Sequence, residues 1–382
     1  MIRIALVALN EQEYLPQTLN CLKRQTVPFK LYICVNQPEA WWHTEQRNIC
    51  ENNAATLTYL KSIQDLDLTV LDHSSPGKGW DSKNYGVGQA RKTVMDAIAQ
   101  ESPPEDIILT LDADTTFPDH YLKSIYDTFQ NFDFKALAIP YYHKLTGKTA
   151  EDQAILRYEI YMRNYALNMF RIHSPYRFTA IGSAMACTVK NYLAVGGITP
   201  FKSGEDFYFM QKMCKFGRIH LWNEACIYPQ ARFSNRVFFG TGPAMINGNS
   251  GDWSSYPIYH YTLFDIIKAT YDLIPKLFTE DCENEFIDFL KEQFKTSDLW
   301  SKLRLNFKTL PLFTKAFHEK ADALRILQFL KEKQKTLSLS DEICLEENFR
   351  VLFNETAQDK SLSDIREYLF VREMEARSRV VS

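Results

Sequence analysis

The sequence predicts an α/β fold: a mostly parallel sheet flanked by helices, with a helical extension at the C-terminal end. Three observations carry this. Near-continuous apolar runs alternate with helical stripes through the first half, as strands buried on both faces require. Asn10, Asn36, Asp72 and Asp112 each fall just after such a run, where parallel sheets bind ligands. Beyond Tyr261 the pattern is helical to the end.

The elements follow in order. IRIALVAL is the first strand, and a helix follows with Pro16 in its first turn and Leu15, Leu19 and Leu22 on one face. FKLYICV and LTVL are the second and third strands. Val87, Ala90, Val94 and Ile98 form a helical stripe, then DIILTL and KALAIP read as strands four and five. Glu151 to Ile172 reads as one long helix, and SAMACTV as a further strand before a Gly196-Gly197 turn. Ser234 to Gly251 is polar and glycine-rich and reads as a loop. FDIIKATYDLI, FIDFLKEQF and ADALRILQFLKEKQK are the clearest later helices. The expected division is a catalytic domain over 1–260 and a helical region over 261–382.

Composition narrows the class. With 382 residues, the chain can bury one large core or form two domains. A net charge of −3 gives no bulk attraction to nucleic acid. The opening MIRIALVALNEQEYLP lacks a secretory pattern, and no run approaches the roughly 18 apolar residues of a membrane span. The eight cysteines are scattered without a C-x-x-C pair, as expected of reduced thiols in a cytoplasmic protein.

Four stretches carry candidate chemistry. In LTLDADTTFPDHYL, Asp112 and Asp114 end a strand. Like charges this close need an offset: a hard cation such as Mg²⁺ or Mn²⁺, a helix cap or plain solvent. In Gly204-Glu205-Asp206 the acids open a helix, either as dipole compensation or as a general base. In NYGVGQARKTVMDAI, Gly86 and Gly88 open a helix carrying Arg91 and Lys92, a setting that suits phosphate but matches no Walker loop. In ARFSNRVFFGTGPAM, Arg232 and Arg236 precede Gly240-Thr241-Gly242. That is either a diphosphate loop or a turn with two surface arginines.

Other residues have blander readings beside functional ones. Trp41 and Trp42 suit packing as well as stacking on a base or sugar. His73, His173, His220 and His260 read as structural histidines, with His220 buried in a strand. Lys302, Arg304, Lys308, Lys315, Lys331, Lys333 and Lys335 form either a solvated helix face or a contact with anionic lipid.

The order of these signals is more specific than any one of them. An opening strand ends in Asn10-Glu11, a helix ends in Gln25-Thr26, and Gly-x-Gly-x-Ala-Arg precedes Leu-Asp-Ala-Asp with a following proline. An Ile-Gly-Ser strand, a Gly-Gly turn and Gly-Glu-Asp come after. From Met1 to about Gly251 this order resembles the family 2 glycosyltransferases. The resemblance implies a GT-A-type, Rossmann-like fold. It also implies inverting transfer of a sugar from a nucleotide-diphosphate donor to a saccharide or lipid-linked acceptor, in bacterial cell-surface polysaccharide synthesis.

Carried onto this chain, the resemblance makes Asp206 the catalytic base, with Glu205 beside it. Asp114 would bind Mn²⁺ or Mg²⁺ directly, and Asp112 would lie near the ribose and metal. Ala8, Asn10 and Glu11 would line the nucleotide pocket, Gly88 and Arg91 would lie near the donor, and Gly182 and Ser183 would border the sugar. Asn36 stands where many members place an aspartate for the nucleobase, and Arg232 and Arg236 would assist the diphosphate. The Gln-x-x-Arg-Trp motif of processive members is absent, which favours single-sugar addition by a cytoplasmic enzyme, free or peripheral on the inner membrane face. Two rivals remain in view. A nucleotidyltransferase needs a basic loop after the first strand, where this chain has acidic Asn10-Glu11-Gln12-Glu13. A catalytically inactive nucleotide- or glycan-binding relative needs no Gly-Glu-Asp base.

Overall fold

The computed structural model describes residues 1–235 and 240–380. Its first half runs β1 (Ile2–Ala8), α1 (Leu15–Lys23), β2 (Phe29–Asn36), α2 (Arg47–Ser62), β3 (Leu68–His73), α3 (Val87–Glu101) and β4 (Ile107–Asp112). Next come β5 (Thr115–Thr116), α4 (Tyr121–Asn131), β6 (Ala136–Ala138), α5 (Thr149–Arg171), β7 (Met185–Thr188), α6 (Val189–Ala194), α7 (Glu205–Phe216), β8 (Ile219–His220), β9 (Tyr228–Pro229) and α8 (Thr241–Asn249). Helices then follow one another: α9 (Tyr261–Asp272), α10 (Ile274–Leu277), α11 (Glu285–Gln293), α12 (Ser301–Asn306), α13 (Leu310–Lys320), α14 (Ala323–Leu337), α15 (Asp341–Phe353) and α16 (Leu362–Arg379).

The central sheet has seven strands in the order β3-β2-β1-β4-β7-β6-β8. β1 lies parallel to β2 and β4, and β2 parallel to β3. The apolar runs of β1, β2 and β4 are buried along nearly their whole length, which requires cover on both faces. Register sets the crevice: Val7 lies opposite Asp112, Ala8 opposite Val35, and Asn36 opposite His73. The polar residues after these strands therefore share the carboxyl edge of the sheet.

The structure differs from the sequence reading in three places. SAMACTV is a strand, but it runs antiparallel to both β4 and β6. Strand patterning reports burial, and direction depends on how the chain returns. The glycine-rich stretch after Ser234 contains α8, which opens at Gly240; Gly242 lies within that helix, against the Ser234 backbone, where a Cβ would sit 2.3 Å from a carbonyl oxygen. α2 went unread, because its buried face carries Asn53 and Thr56 beside Leu57 and Leu60 and so breaks the apolar stripe.

The chain forms two compact units. The first comprises Met1–Ile155, Phe178–Gly251 and the end of the chain from Arg377. The second comprises Leu156–Arg177 and Asp252–Ala376. In the second, Ile160 and Leu167 of α5 pack with Ile258, Cys344, Phe349, Ile365 and Leu369. Arg163 of α5 pairs there with Glu159 at 3.3 Å and Glu373 at 2.7 Å, all fully buried. No helix among the described residues is long and apolar enough to cross a membrane.

Candidate active site

Two arginines organise the carboxyl edge of the sheet. The first is Arg91, near the start of α3 and only 1% exposed. Its Nε donates to Glu205 Oε1 at 3.1 Å, Nη1 to the Gly182 carbonyl at 2.7 Å, and Nη2 to Asp112 Oδ1 at 3.0 Å. One guanidinium thus joins α3, the end of β4, the segment before β7 and the start of α7. Two glycines allow this packing, Gly182 against the guanidinium itself and Gly88 at the start of α3 against the Phe201 backbone. A Cβ on Gly182 would lie 2.3 Å from Arg91 Nη2, and one on Gly88 would lie 2.0 Å from the Phe201 carbonyl oxygen. Burial opposes the charge on Arg91, but Asp112 and Glu205 outweigh it and hold the group protonated.

Glu205 and Asp206 open α7 after Gly204, which takes a left-handed conformation at φ 72°. A helix N-terminus ordinarily favours ionised acids. Here burial pushes Glu205 upward, opposed by Arg91. Burial, then the neighbouring Glu205 carboxylate, push Asp206 up to about 7. Desolvation and like charge therefore overcome the helix dipole. Asp206 Oδ1 accepts a hydrogen bond from the amide of the next residue, Phe207, at 2.7 Å. The result is a carboxyl poised to exchange a proton near neutral pH.

The second organiser is Arg232. β5 pairs with β9 in a two-stranded ribbon, Thr115 opposite Pro229 and Thr116 opposite Tyr228, and Gln230 N donates to the Asp114 carbonyl at 3.2 Å. That ribbon delivers Arg232 to the acidic strand end. Its Nη2 lies 2.6 Å from Asp114 Oδ2 and 2.5 Å from Glu11 Oε1. The guanidinium stacks over the Tyr14 ring at 4.5 Å.

A third set of contacts fixes the wall at the ends of β1 and β2. Asn36 Nδ2 donates to the Ala8 carbonyl at 3.1 Å. Asn53 of α2 donates to the Asn36 carbonyl at 3.1 Å and accepts from Asn10 N at 2.9 Å. Asn10 itself takes a left-handed conformation, φ 59°, which asparagine tolerates better than most residues. Asp72 closes its own turn, accepting from Ser74 N at 3.1 Å, Ser75 N at 3.0 Å and Lys78 Nζ at 3.0 Å. These bonds outweigh burial and hold it well below the usual carboxylate range.

The structure therefore gathers Arg91, Asp112, Gly182, Glu205 and Asp206, with Ser183 following Gly182. It joins Glu11, Asp114 and Arg232, and links Ala8, Asn10 and Asn36. Ser183 Oγ is buried with no partner among the described residues. Gly88 packs on backbone away from these ion pairs, and Arg236 lies outside the described residues. Sequence reasoning missed Asn53 and Tyr14. Nothing in a polar helix marks Asn53, and Tyr14 precedes α1 like an ordinary loop aromatic.

The remaining candidates have structural partners. His220 is 1% exposed, stacks on Phe134 at 4.8 Å, and is pushed by burial to about 4, so it is neutral at pH 7. His73 stacks on Trp80 at 5.0 Å, and Trp42 Nε1 donates to the Ser74 carbonyl at 3.2 Å.

The acidic strand end suits a hard divalent ion. Each arginine pairing uses one carboxylate oxygen, Oδ1 of Asp112 and Oδ2 of Asp114, which leaves a second oxygen on each. Among the described residues no group of three or more His, Cys, Asp or Glu side chains is poised around a metal. A cation that shares its shell with substrate phosphates needs only one or two protein carboxylates.

No protein-family profile matches this chain, and no curated protein matches it. Solved structures of S. aureus TarS are similar to it. TarS 1–349 in complex with UDP-GlcNAc shares 13% identity at a TM-score of 0.43, covering 100% of this chain and 92% of that one. The same fragment in complex with UDP shares 12% identity at a TM-score of 0.40, covering 99% and 91%. At such scores the reading of function rests on the site's own geometry.

Proposed function

We propose that this chain is an inverting glycosyltransferase of the family 2 type, with a GT-A-like catalytic unit, taking a sugar from a nucleotide-diphosphate donor. The observation that carries the reading is Arg91. It draws Asp112 of the Asp-x-Asp strand end to Glu205 of the Gly-Glu-Asp turn, over 91 and 114 residues from Gly182 and Glu205 respectively. Two motifs far apart in sequence are thereby held in one crevice, as one displacement reaction needs.

In this reading Asp206 is the base. Its proton affinity near 7 matches the requirement that a base be free to accept a proton at neutral pH. It takes the proton of the acceptor hydroxyl as that oxygen attacks the anomeric carbon. Glu205 and Arg91 hold Asp206's helix start in place. Asp112 and Asp114 would hold Mn²⁺ or Mg²⁺, which when bound would stabilise charge on the leaving diphosphate. Arg232 offers a fixed cation beside them, and Arg236 is proposed to assist it. Ala8, Asn10, Glu11 and Asn36 line the nucleotide side; Gly88, Gly182 and Ser183 border the donor sugar.

The acceptor is proposed to be a saccharide or lipid-linked saccharide of cell-surface polysaccharide synthesis. The eight cysteines, none of them in a disulfide among the described residues, support a reducing, cytoplasmic setting. The test is thermal stability with UDP, GDP, dTDP and CDP, each with and without Mn²⁺. A ligand at 100 times its dissociation constant stabilises by about 2.7 kcal/mol. A metal-dependent shift with one nucleotide supports the donor site and names its base; no shift with any of them rejects it.

A further inference from the structure

The second unit carries a surface unlike the rest of the chain. From Leu299 to His318 there is no Asp or Glu, while Lys302, Arg304, Lys308 and Lys315 fall within it. The whole chain has a net charge of −3, so this basic segment is a local feature. It forms α12, α13 and the turn between them.

One side of this hairpin is fixed in the core. Trp300 stacks on Phe317 at 5.0 Å, and Phe313 packs against Phe278 at 5.5 Å. Leu303, Phe313, Ala316 and Phe317 are buried. The other side is apolar and open: Leu305 is 66% exposed, Leu312 52% and Leu310 37%. These leucines are interleaved with exposed Lys302, Lys308 and Lys315. Arg304 is committed to Asp281 at 2.7 Å and to the Leu277 carbonyl. Two of the later basic residues are committed too. Lys333 pairs with Glu285 at 3.3 Å, and Lys331 sits over the Tyr256 ring at 5.9 Å, lowered in proton affinity by burial.

Three exposed leucines beside three exposed lysines, in a run from Leu299 to His318 that contains no Asp or Glu, match the chemistry of an anionic bilayer. Apolar tips enter the acyl boundary while lysines meet lipid phosphates. Exposed apolar residues elsewhere in this unit differ. Ile343 of α15 follows Asp341 and Glu342, and Val371 of α16 lies between the exposed Glu367 and the part-exposed Glu375; acids there disfavour the same surface.

We propose that the α12–α13 hairpin docks this chain onto anionic lipid through Leu305, Leu310 and Leu312, with Lys302, Lys308 and Lys315 at the headgroups. The proposal is independent of the donor-site reading. A membrane-bound position would place the enzyme where lipid-linked substrates reside.

The test is co-sedimentation of the full chain with vesicles of phosphatidylcholine alone or rich in phosphatidylglycerol. Binding is expected only to the anionic vesicles. Each lysine near an anionic surface strengthens binding about fivefold, so Lys302→Glu/Lys308→Glu/Lys315→Glu should weaken it by two orders of magnitude or more. Leu305→Ser/Leu312→Ser should weaken it at least tenfold. Both variants alter exposed side chains, so their melting temperature and any nucleotide-induced shift should match the parent chain. Absence of binding to anionic vesicles, or retention of binding by either variant, overturns the proposal. Neither result bears on the nucleotide-shift experiment, so the two readings fail separately.

Discussion

Arg91 Nε reaches Glu205 Oε1 across 3.1 Å, tying the start of α3 to the start of α7 through a pair that solvent barely touches. Without Arg91, Glu205 would be an uncompensated buried charge and Asp112 would lose its partner. Removing one partner of such a pair costs about 3–5 kcal/mol. Arg91→Ala should therefore lower stability to chemical denaturation by that order at pH 7. Arg91→Lys should recover only part of it, because an ammonium cannot span three acceptors held in one plane. A loss below about 1 kcal/mol, the range of an exposed pair, would count against Arg91 as the organiser.

Asp206→Asn should remove turnover while leaving donor binding intact. General-base contributions run to about 10²–10⁴-fold in rate, and the loss should appear in kcat with the nucleotide-induced thermal shift unchanged. In the parent chain, the proposed turnover should rise with pH through about 7, where Asp206 becomes ionised. Equal turnover in the variant would dismiss Asp206 as the base. Loss of the thermal shift would instead assign it to donor binding.

The same residue makes a stability prediction with a definite sign. Its folded-state proton affinity, about 7, lies above the ordinary 3.8. The native state therefore favours the protonated form. Stability from this group is fully present below about pH 4 and is lost as pH rises through 7. Asp206→Asn, which cannot ionise, should exceed the parent in stability at pH 8 by roughly 4 kcal/mol, at about 1.4 kcal/mol for each of about three units. The difference should vanish at pH 4. Because Glu205 shifts in the same direction, the titration belongs to the pair, and Glu205→Gln should lower the apparent midpoint for Asp206.

Asp114→Ala should abolish any Mn²⁺-dependent part of a nucleotide shift. Isothermal titration with Mn²⁺ in the presence of nucleotide checks this without turnover. Arg232→Ala should act differently: it frees Asp114 Oδ2 and Glu11 Oε1 from the cation they share. Metal affinity should rise while nucleotide affinity falls, since in the proposed reading the arginine offers its charge to the diphosphate. Parallel losses of both in Arg232→Ala would reduce the arginine to a structural strut.

Gly88→Ala should disturb the site from a distance. The added Cβ would meet the Phe201 carbonyl oxygen at 2.0 Å, a backbone atom that cannot rotate away. Overpacking of this kind costs about 1–3 kcal/mol. A crystal structure of the variant should show α3 displaced at its start and Arg91 drawn off one of its three acceptors. An unmoved Arg91 would dissociate the glycine from the site.

Much of this was readable in the chain and some was not. IRIALVAL, FKLYICV, LTVL and DIILTL announce themselves because strands buried on both faces need continuous apolar side chains. Asp112 and Asp114 stand out because acids at a strand end demand compensation. α2 was hidden, since Asn53 faces inward to hold Asn10 and Asn36, and a buried amide looks like a surface residue in a pattern of hydropathy. The direction of β7 was hidden because alternation and burial are the same for either direction. α8 was hidden because Gly242 and Gly248 within it weaken helix propensity, although tertiary packing overrides it.

The sequence by itself determined the α/β rhythm, the helical C-terminal part and the identity of the acids at Asp112, Asp114, Glu205 and Asp206. Those depend on local periodicity and on which side chains the chain contains. Only the tertiary structure decided what compensates each acid. Arg91 serves Asp112 and Glu205, Arg232 serves Asp114 and Glu11, and Asp206 is left with its proton affinity raised to about 7. Charge compensation acts through space over a few ångströms and falls with solvent exposure. It is settled by which distant segments fold against one another, and a linear chain does not state that.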